Sequence, residues 1–478
     1  MFPSALRRTP LRAARTGRCP PALAATLSGA ALLLLAGCAS VTPGASVTEV
    51  SRLTQPHTGQ PLALQPLSAA DLAAALREPL SADAAVALAL KNNRALQARL
   101  ARLGVTAAEV AEAGRLPNPG FRFSRLTRGS EVELERGWHV DLARLLTLPL
   151  VREAEARRLQ ADERQAATQV LALAADTRRA WVRAVAADEA LTYRRQVMGA
   201  AEAGEELARR MQAAGNFNAL SRAREQGFAT EARLALARAQ AQRLAARERL
   251  VRLLGLSSEE ATALRLPERL PELPAAPREQ VDIETLALSQ RLDVQAARLT
   301  LEQAGRQASL ARTTRWVSML ELGTVRNSSN EAPTQRGWEV ALELPLFGPG
   351  PLPRAEALAS LAAHDAADTA LRARSEVREA HGLYRSAWDI ARQHRDEALP
   401  LARRISDEQL LRYNAMLIGV FELLADARAQ VAAVSAAQDA VRDFWLAQAD
   451  LDQALLGPVT PSLPTGSAAP VTGPAASH

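Results

Sequence analysis

The sequence predicts a mainly α-helical chain with a small β part, built as two copies of a helix–β-hairpin–long helix–helix unit. Three observations predict it: an Ala-rich composition with only 4% aromatic residues, an internal repeat at an offset near 200 residues, and long Pro-poor stretches with apolar residues at 3-4 spacing. A chain with so few aromatic side chains lacks the volume for a thick core, but its small residues allow helices to pack closely.

The repeat is visible in three places. Arg136-Gly137-Trp138-His139-Val140 returns as Arg336-Gly337-Trp338-Glu339-Val340, and Leu88-Ala89-Leu90 returns as Leu286-Ala287-Leu288. Residues 215–226 return as 419–430, with six of the twelve positions identical, including Gly215/Gly419 and Phe217/Phe421. Matches in one order at similar offsets indicate a duplication.

Each copy begins with a predicted helix, at about 81–115 and 280–314, and Ser81 is a suitable N-cap for the first. Pro117, Pro119 and Gly120 end it, and segments with period-two alternation follow, as in Trp338, Val340, Leu342 and Leu344. Two strands per copy give four per chain, which cannot close a barrel. Three chains supply twelve strands, so we expect a homotrimer with a 12-stranded β-barrel continued by a trimeric α-barrel.

Long helices complete each copy. Residues 151–214 contain no Pro and predict a helix of roughly 95 Å. Coiled-coil seams are predicted at Val377, Ala380, Tyr384, Ala387, Ala391, His394, Ala398, Leu401 and Ile405, and at Leu424, Ala427, Val431, Val434, Gln438, Val441 and Trp445. Pro400 interrupts the first seam and should kink or locally open it.

The first 37 residues are expected to be a lipoprotein signal peptide. They contain five arginines and no acid, followed by a short apolar run that ends in Leu35-Ala36-Gly37-Cys38. That ending resembles a bacterial lipobox, which predicts cleavage before Cys38, acylation of its thiol, and, with Ala39 in place of Asp, routing to the outer membrane. Subtracting those arginines from the net charge of +6 leaves +1, so the charge does not indicate nucleic-acid binding.

The remaining chain divides by composition. We predict a lipidated extension over 38–80, a first repeat over 81–256, a Pro-rich connector over 257–279, a second repeat over 280–457 and a disordered tail over 458–478. After the leader no stretch of 18 consecutive apolar residues occurs, so any passage through a membrane should use strands.

The sequence offers no enzyme site. It contains no HExxH, P-loop, GxGxxG or GxSxG motif, and its six His are scattered. We therefore expect no catalytic residue, cofactor or metal, and we interpret the many helical arginines as solvated faces.

Several motifs resemble those of the TolC-type outer-membrane efflux proteins, in their lipoprotein branch, over about residues 75–457. They are Leu88-Ala89-Leu90-Lys91-Asn92-Asn93, Leu344-Pro345-Leu346-Phe347-Gly348, and Arg412-Tyr413 through Glu422-Leu423-Leu424-Ala425-Asp426-Ala427. The sequence departs from the family at Met416, where a Gly is usual. The acid that usually follows the Leu-Leu pair is displaced to Asp426. The resemblance implies a passive trimeric exit duct that extends into the periplasm, docks a periplasmic adaptor and serves an inner-membrane transporter. Drugs and metal ions both remain open as cargo.

The two helix reversals, around 211–222 and 414–426, are expected to form the periplasmic mouth. Gly215, Phe217, Gly419 and Phe421 are predicted helix-turn and adaptor-docking residues. Glu422 matches an entrance acid of the family, and Asp426 follows one turn later on the same face. We predict that both line the entrance, although acids that merely solvate a helix would give the same pattern. The alternative function is a lipid-anchored periplasmic coiled-coil scaffold or adaptor.

Overall fold

A computed structural model describes residues 44–62, 65, 67–344, 348 and 350–459. The predicted leader, Cys38, residues 345–347 and the tail from 460 lie outside these ranges. The helices are α1 Ala45–Thr58, α2 Ala69–Ala75, α3 Ala82–Asn92, α4 Arg94–Ala113, α5 Leu142–Ala213, α6 Ala219–Leu254, α7 Ser258–Ala263, α8 Ile283–Gln290, α9 Leu292–Thr314, α10 Leu352–Gln393, α11 Leu399–Asn414 and α12 Val420–Ala454. The strands are β1 Gly120–Arg128, β2 Glu131–Asp141, β3 Met319–Ser329 and β4 Gln335–Glu343.

This architecture confirms the predicted mainly helical chain with a small β part. Each copy contains an opening helical segment, a β-hairpin, a long helix and a returning helix, so β1–β2 corresponds to β3–β4 and α6 corresponds to α12. The first long helix, α5, has 72 residues and therefore extends about 108 Å. Among the described helices, none is long and apolar enough to cross a membrane.

The opening helix of each copy is broken, where the sequence predicted one continuous helix. Asn93 and Arg291 have extended backbones at the two breaks. Asn93 Nδ2 donates to the carbonyl of Leu253 at 2.9 Å, and Arg291 Nη1 donates to that of Ala454 at 3.3 Å. The last carbonyls of a helix lack partners within it. Each break therefore caps the C-terminal end of its copy's returning helix.

Aromatic and small residues form the core where the helices meet. In the first copy Trp181 packs with Leu250 and Leu254, and its indole Nε1 donates to Leu80 O at 2.7 Å. In the second copy Tyr384 and Phe444 pack together, with ring centroids 5.6 Å apart. Each copy thus places an aromatic residue of its long helix, Trp181 or Tyr384, in the core.

The predicted seam is confirmed in α10, where Val377, Ala380, Tyr384, Ala387 and Ala391 are buried. It is wrong in α11, where Leu401 and Ile405 are exposed. The seam predicted in α12 is wrong. Gln438, Val441 and Trp445 are only half-buried, whereas the buried positions include Ala440, Phe444, Ala447 and Leu451. The reason is that α12 has two neighbours: Phe444 faces α10, Leu446 faces α5, and Trp445 lies between them at the rim of both contacts.

The predicted effect of Pro400 is confirmed. A five-residue π-helical turn, His394–Ala398, immediately precedes α11. Proline has no N–H to donate, and its ring conflicts with the carbonyl four residues earlier, so a wider turn accommodates it. The corresponding part of α5 continues as a regular α-helix.

Candidate functional site

The four strands form one antiparallel sheet in the order β1-β2-β3-β4. The cross-strand register runs Phe121–Trp138–Thr324–Trp338 and, two residues nearer the hairpin loops, Phe123–Arg136–Arg326–Arg336. Opposed residues of such a ladder point to the same side. The register therefore assigns every strand side chain to one of two faces.

The first face carries all the acids of the strands, and we call it the concave face. Its charged residues are the carboxylates Glu131, Glu133, Glu135, Asp141, Glu321, Glu339 and Glu343 and the arginines Arg122 and Arg128.

Its curvature follows from one ion pair. Arg122 on β1 and Glu339 on β4 lie 2.9 Å apart although β2 and β3 separate their strands. Glycines on this face leave room for the close approach of the strands. A Cβ at Gly323 would lie 2.8 Å from Trp138 O, and one at Gly120 would overlap the His139 ring. The sheet of a single chain is thus strongly curved, and its concave face is acidic.

The opposite face, which we call the convex face, is apolar over most of its area. It carries Phe121, Phe123, Trp138, Val140, Leu320, Leu322, Trp338, Val340 and Leu342. Trp338 is 77% exposed, and Phe121 contacts Trp138 with ring centroids 4.9 Å apart. An exposed apolar patch of this kind marks a surface that contacts lipid or another protein.

At the other end of the molecule, the reversal between α5 and α6 contains two of the predicted turn residues. Gly215 has a φ of +79°, and Asn216 N donates to Met211 O at 2.9 Å. Phe217 is buried, and Asn218 caps α6 by accepting from Ser221 N at 2.7 Å. The αL residue and these hydrogen bonds form a Schellman-type ending.

The reversal between α11 and α12 has the same geometry but a different residue at its key position. Met416 adopts the left-handed conformation, with a φ of +56°, and Leu417 N donates to Arg412 O at 2.9 Å. Gly419 has a φ of −83° and is the N-cap of α12. Equating Gly215 with Gly419 is therefore wrong: Gly215 corresponds to Met416, and Gly419 corresponds to Asn218. The predicted offset was three residues too long here.

The two predicted entrance acids differ in their surroundings. Glu422 is exposed in the first turn of α12, whereas Asp426 is half-buried. The Oδ2 atom of Asp426 is buried without a hydrogen-bond partner in the described part of the chain. The acids follow each other by one helical turn, as predicted. For Phe421 only the backbone, inside α12, is described.

A contact that the sequence did not suggest joins the two helical hairpins beside these acids. Arg428 of α12 forms an ion pair with the buried Glu225 of α6, and its guanidinium lies 4.7 Å from the centroid of the Phe228 ring. An acid and a base separated by about 200 residues give no local pattern. Only the packing of the hairpins could have revealed this pair.

The interpretation of the helical arginines as solvated faces fails for Arg183. This residue lines a cavity of about 1020 Å³ between α5, α6 and α12, together with Arg249 and Arg442. Burial, with the nearby Arg249 and Arg179, lowers the pKa of Arg183. In the described ranges, no three His, Cys, Asp or Glu side chains converge as metal ligands.

No protein-family model and no curated protein matches the chain. Solved structures do match. The outer-membrane channel OprN has a TM-score of 0.67 at 17% identity, over 84% of this chain and 95% of that one. A membrane protein from Pseudomonas aeruginosa gives 0.66 at 22% identity, over 78% and 93%. The outer membrane protein VceC from Vibrio cholerae gives 0.66 at 17% identity, over 78% and 95%. The likeness confirms the fold that the resemblance implied.

Proposed function

We propose, from the fold shared with outer-membrane channel proteins, that this chain is one subunit of an outer-membrane duct. The duct is the passive exit of a tripartite efflux system for small toxic compounds, drugs or metal ions, and is not an enzyme. The observation that carries the proposal is the curved sheet on top of long helices, with an acidic concave face and an apolar convex face. Such a section of wall suits a pore that has lipid outside and water inside.

We infer a homotrimer from what a single chain leaves unpaired. The outer edges of β1 and β4 have no partner strand in the described sheet, and unpaired edges are costly in lipid. Three copies joined edge to edge close a 12-stranded barrel. The helices also present exposed leucines in need of cover, among them Leu234, Leu244, Leu361, Leu371 and Leu411.

The dimensions of the convex face support the membrane assignment. The exposed Trp316, which Arg315 covers at 4.8 Å, lies between α9 and β3 at the helical end of the sheet, and Arg326 lies ten residues further along the chain. Ten extended residues span at most roughly 33 Å, and a strand tilt of about 40° reduces that to about 25 Å. That is the height of the apolar band of outer-membrane barrels.

The proposal extends to three parts of the chain that carry its attachments. Cys38 is acylated and anchors the N-terminus in the outer membrane. The turns at Gly215–Phe217 and Gly419–Phe421 dock the periplasmic adaptor, which links the duct to the inner-membrane transporter. Glu422 and Asp426 line the periplasmic entrance, where rings of acids favour cations.

The test is reconstitution. Full-length protein in detergent should have the mass of three chains and should conduct ions in planar bilayers of phosphatidylcholine. Its current should favour cations, because each concave face has seven acids and two arginines. A monomer that stays in water after removal of the lipid anchor, and does not conduct, would support the periplasmic scaffold or adaptor instead.

The attachments require separate measurements. Mass spectrometry of the mature N-terminus should find a diacylated Cys38, and an unmodified Cys38 would refute the anchor. Glu422→Gln with Asp426→Asn should reduce cation selectivity, whereas Glu408→Gln, on the exposed side of α11, should not. Unchanged selectivity in the double variant would refute the entrance assignment and leave the duct intact.

A further inference from the structure

The convex face carries a row of arginines that a lipid-facing surface does not require. Arg136, Arg326 and Arg336 are directly opposed across β2, β3 and β4, and we call them the arginine row. All three side chains are exposed, and none forms an ion pair within the described residues. The convex strand positions contain no acid, so no carboxylate on this face balances them.

Such a row is unfavourable for the isolated sheet. Like charges that face each other directly across a strand pair destabilise it, and Arg326 has such a neighbour on both sides. An arginine on the lipid-facing side of a barrel is costly at the bilayer midplane but almost free at an interface. The row therefore needs an anion, and it needs to lie at a membrane surface.

The position of the row identifies which surface. Trp138 and Trp338 lie two residues from Arg136 and Arg336, on the helical side. Beyond the row lie the last residues of the hairpins, which on the convex face include Arg125 and Leu134. The strands join α5 and α10 at their other end. With the helices in the periplasm, the arginine row lies at the outer leaflet and the tryptophans just inside it, as in an aromatic girdle.

We propose that the arginine row binds the phosphate groups of outer-leaflet lipids. Guanidinium groups bind phosphate oxygens in a bidentate manner with strong, charge-assisted hydrogen bonds. The aromatic rings beside them contact the upper part of the acyl chains, so the site recognises a phosphorylated lipid and not free phosphate. This inference rests on the proposed membrane duct and adds a lipid class to its outer surface.

Lipid binding to the full-length protein in detergent tests the proposal. Native mass spectrometry should find phosphatidic acid bound in preference to phosphatidylcholine. Arg326→Gln should weaken that binding by about tenfold or more, as expected for the loss of a charge-assisted hydrogen bond. Arg128→Gln is the matched control, because it removes an arginine from the same sheet on the concave face. Equal losses in the two variants, or no preference in the wild type, would overturn the proposal.

Thermal stability gives a second readout, which a merely structural arginine would not produce. In a non-ionic detergent Arg326→Gln should leave the melting temperature unchanged or raise it, because repulsion within the row is relieved. Phosphatidic acid should raise the melting temperature of the wild type more than that of the variant. Inorganic phosphate should not reproduce this stabilisation, and if it did, the site would not be one for lipids.

Conductance separates this inference from the proposed function. Arg326→Gln should conduct like the wild type in phosphatidylcholine bilayers, because its side chain lies outside the pore. A wild type that inserts and conducts but shows no preference for phosphatidic acid refutes the lipid site alone. A wild type that does not insert overturns the duct and the lipid site together.

Discussion

Replacing Arg291 by Met should destabilise the fold strongly, because this arginine is the most buried charge that links the second copy. Its side chain is 1% exposed, and its Nη2 lies 2.7 Å from Asp293 and 2.8 Å from Glu376. Burial alone would lower the pKa of Arg291, but the hydrogen bonds that its guanidinium donates to Asp293 and Glu376, together with the charges of these carboxylates, outweigh burial and raise that pKa. A raised basic pKa stabilises the fold below the unfolded value, so this contribution is complete at every pH up to well above neutral.

The size of the effect follows from what the methionine leaves behind. Two carboxylates lose their cation, and the carbonyl of Ala454 loses a donor. Removing one partner of a buried ion pair costs about 3–5 kcal/mol. Both carboxylates keep about a fifth of their surface in water, so we expect the lower end, about 3 kcal/mol. For a chain of 478 residues that lowers the melting temperature by about 3 °C.

The assay is the loss of helical circular dichroism on heating the detergent-solubilised protein. Arg378→Met is the matched control, since Arg378 forms an ion pair with Glu284 at 3.3 Å while its side chain is 62% exposed. An exposed pair contributes about 0–1 kcal/mol, so the control should melt close to the wild type. If the two variants melted at the same temperature, burial of the ion pair would not be the cause and the reasoning would be wrong.

Three further substitutions test the turns and the contact between hairpins. Met416→Gly should stabilise the protein by roughly 1 kcal/mol, because a left-handed residue with a Cβ is strained; a lower melting temperature would contradict this. Gly255→Ala should destabilise it by more than about 1 kcal/mol, because Gly255 has a φ of +68° and its added Cβ would lie 2.7 Å from Asn92 O; a melting temperature equal to that of the wild type would count against the close approach. Arg428→Met should loosen the contact with Glu225, so proteolysis of the hairpin turns should become faster than in the wild type.

The sequence predicted the elements well because their signals are local. Period-two alternation marked the strands, 3-4 spacing marked the seam of α10, and Pro400 marked the π-helical turn. The breaks at Asn93 and Arg291 were missed because the apolar periodicity continues through them. Their cause is a long-range cap on α6 and α12, and its polar partners lie about 160 residues away in sequence.

The candidate site was only partly predictable, for a related reason. Alternation shows that a strand has two faces, but only the register shows which strands share them. The pairing of β2 with β3 joins segments from the two copies and aligns Arg136 with Arg326. The sequence alignment of the two turns was wrong because it matched Gly215 with the identical residue type, Gly419. The backbone equivalence lies three residues earlier, where Met416 holds a conformation that Gly215 adopts without strain.

The two copies have diverged in their mechanics more than in their fold. The first copy combines an uninterrupted long helix with a glycine at its turn. The second copy has a π-helical turn in its long helix and a left-handed methionine, 93% exposed, at its tip. A wide turn weakens the hydrogen-bond ladder locally, and a strained tip lowers the cost of opening the reversal. Local opening in the second copy should therefore require less free energy than in the first, and amide hydrogen exchange should be faster in α11 than in the corresponding part of α5.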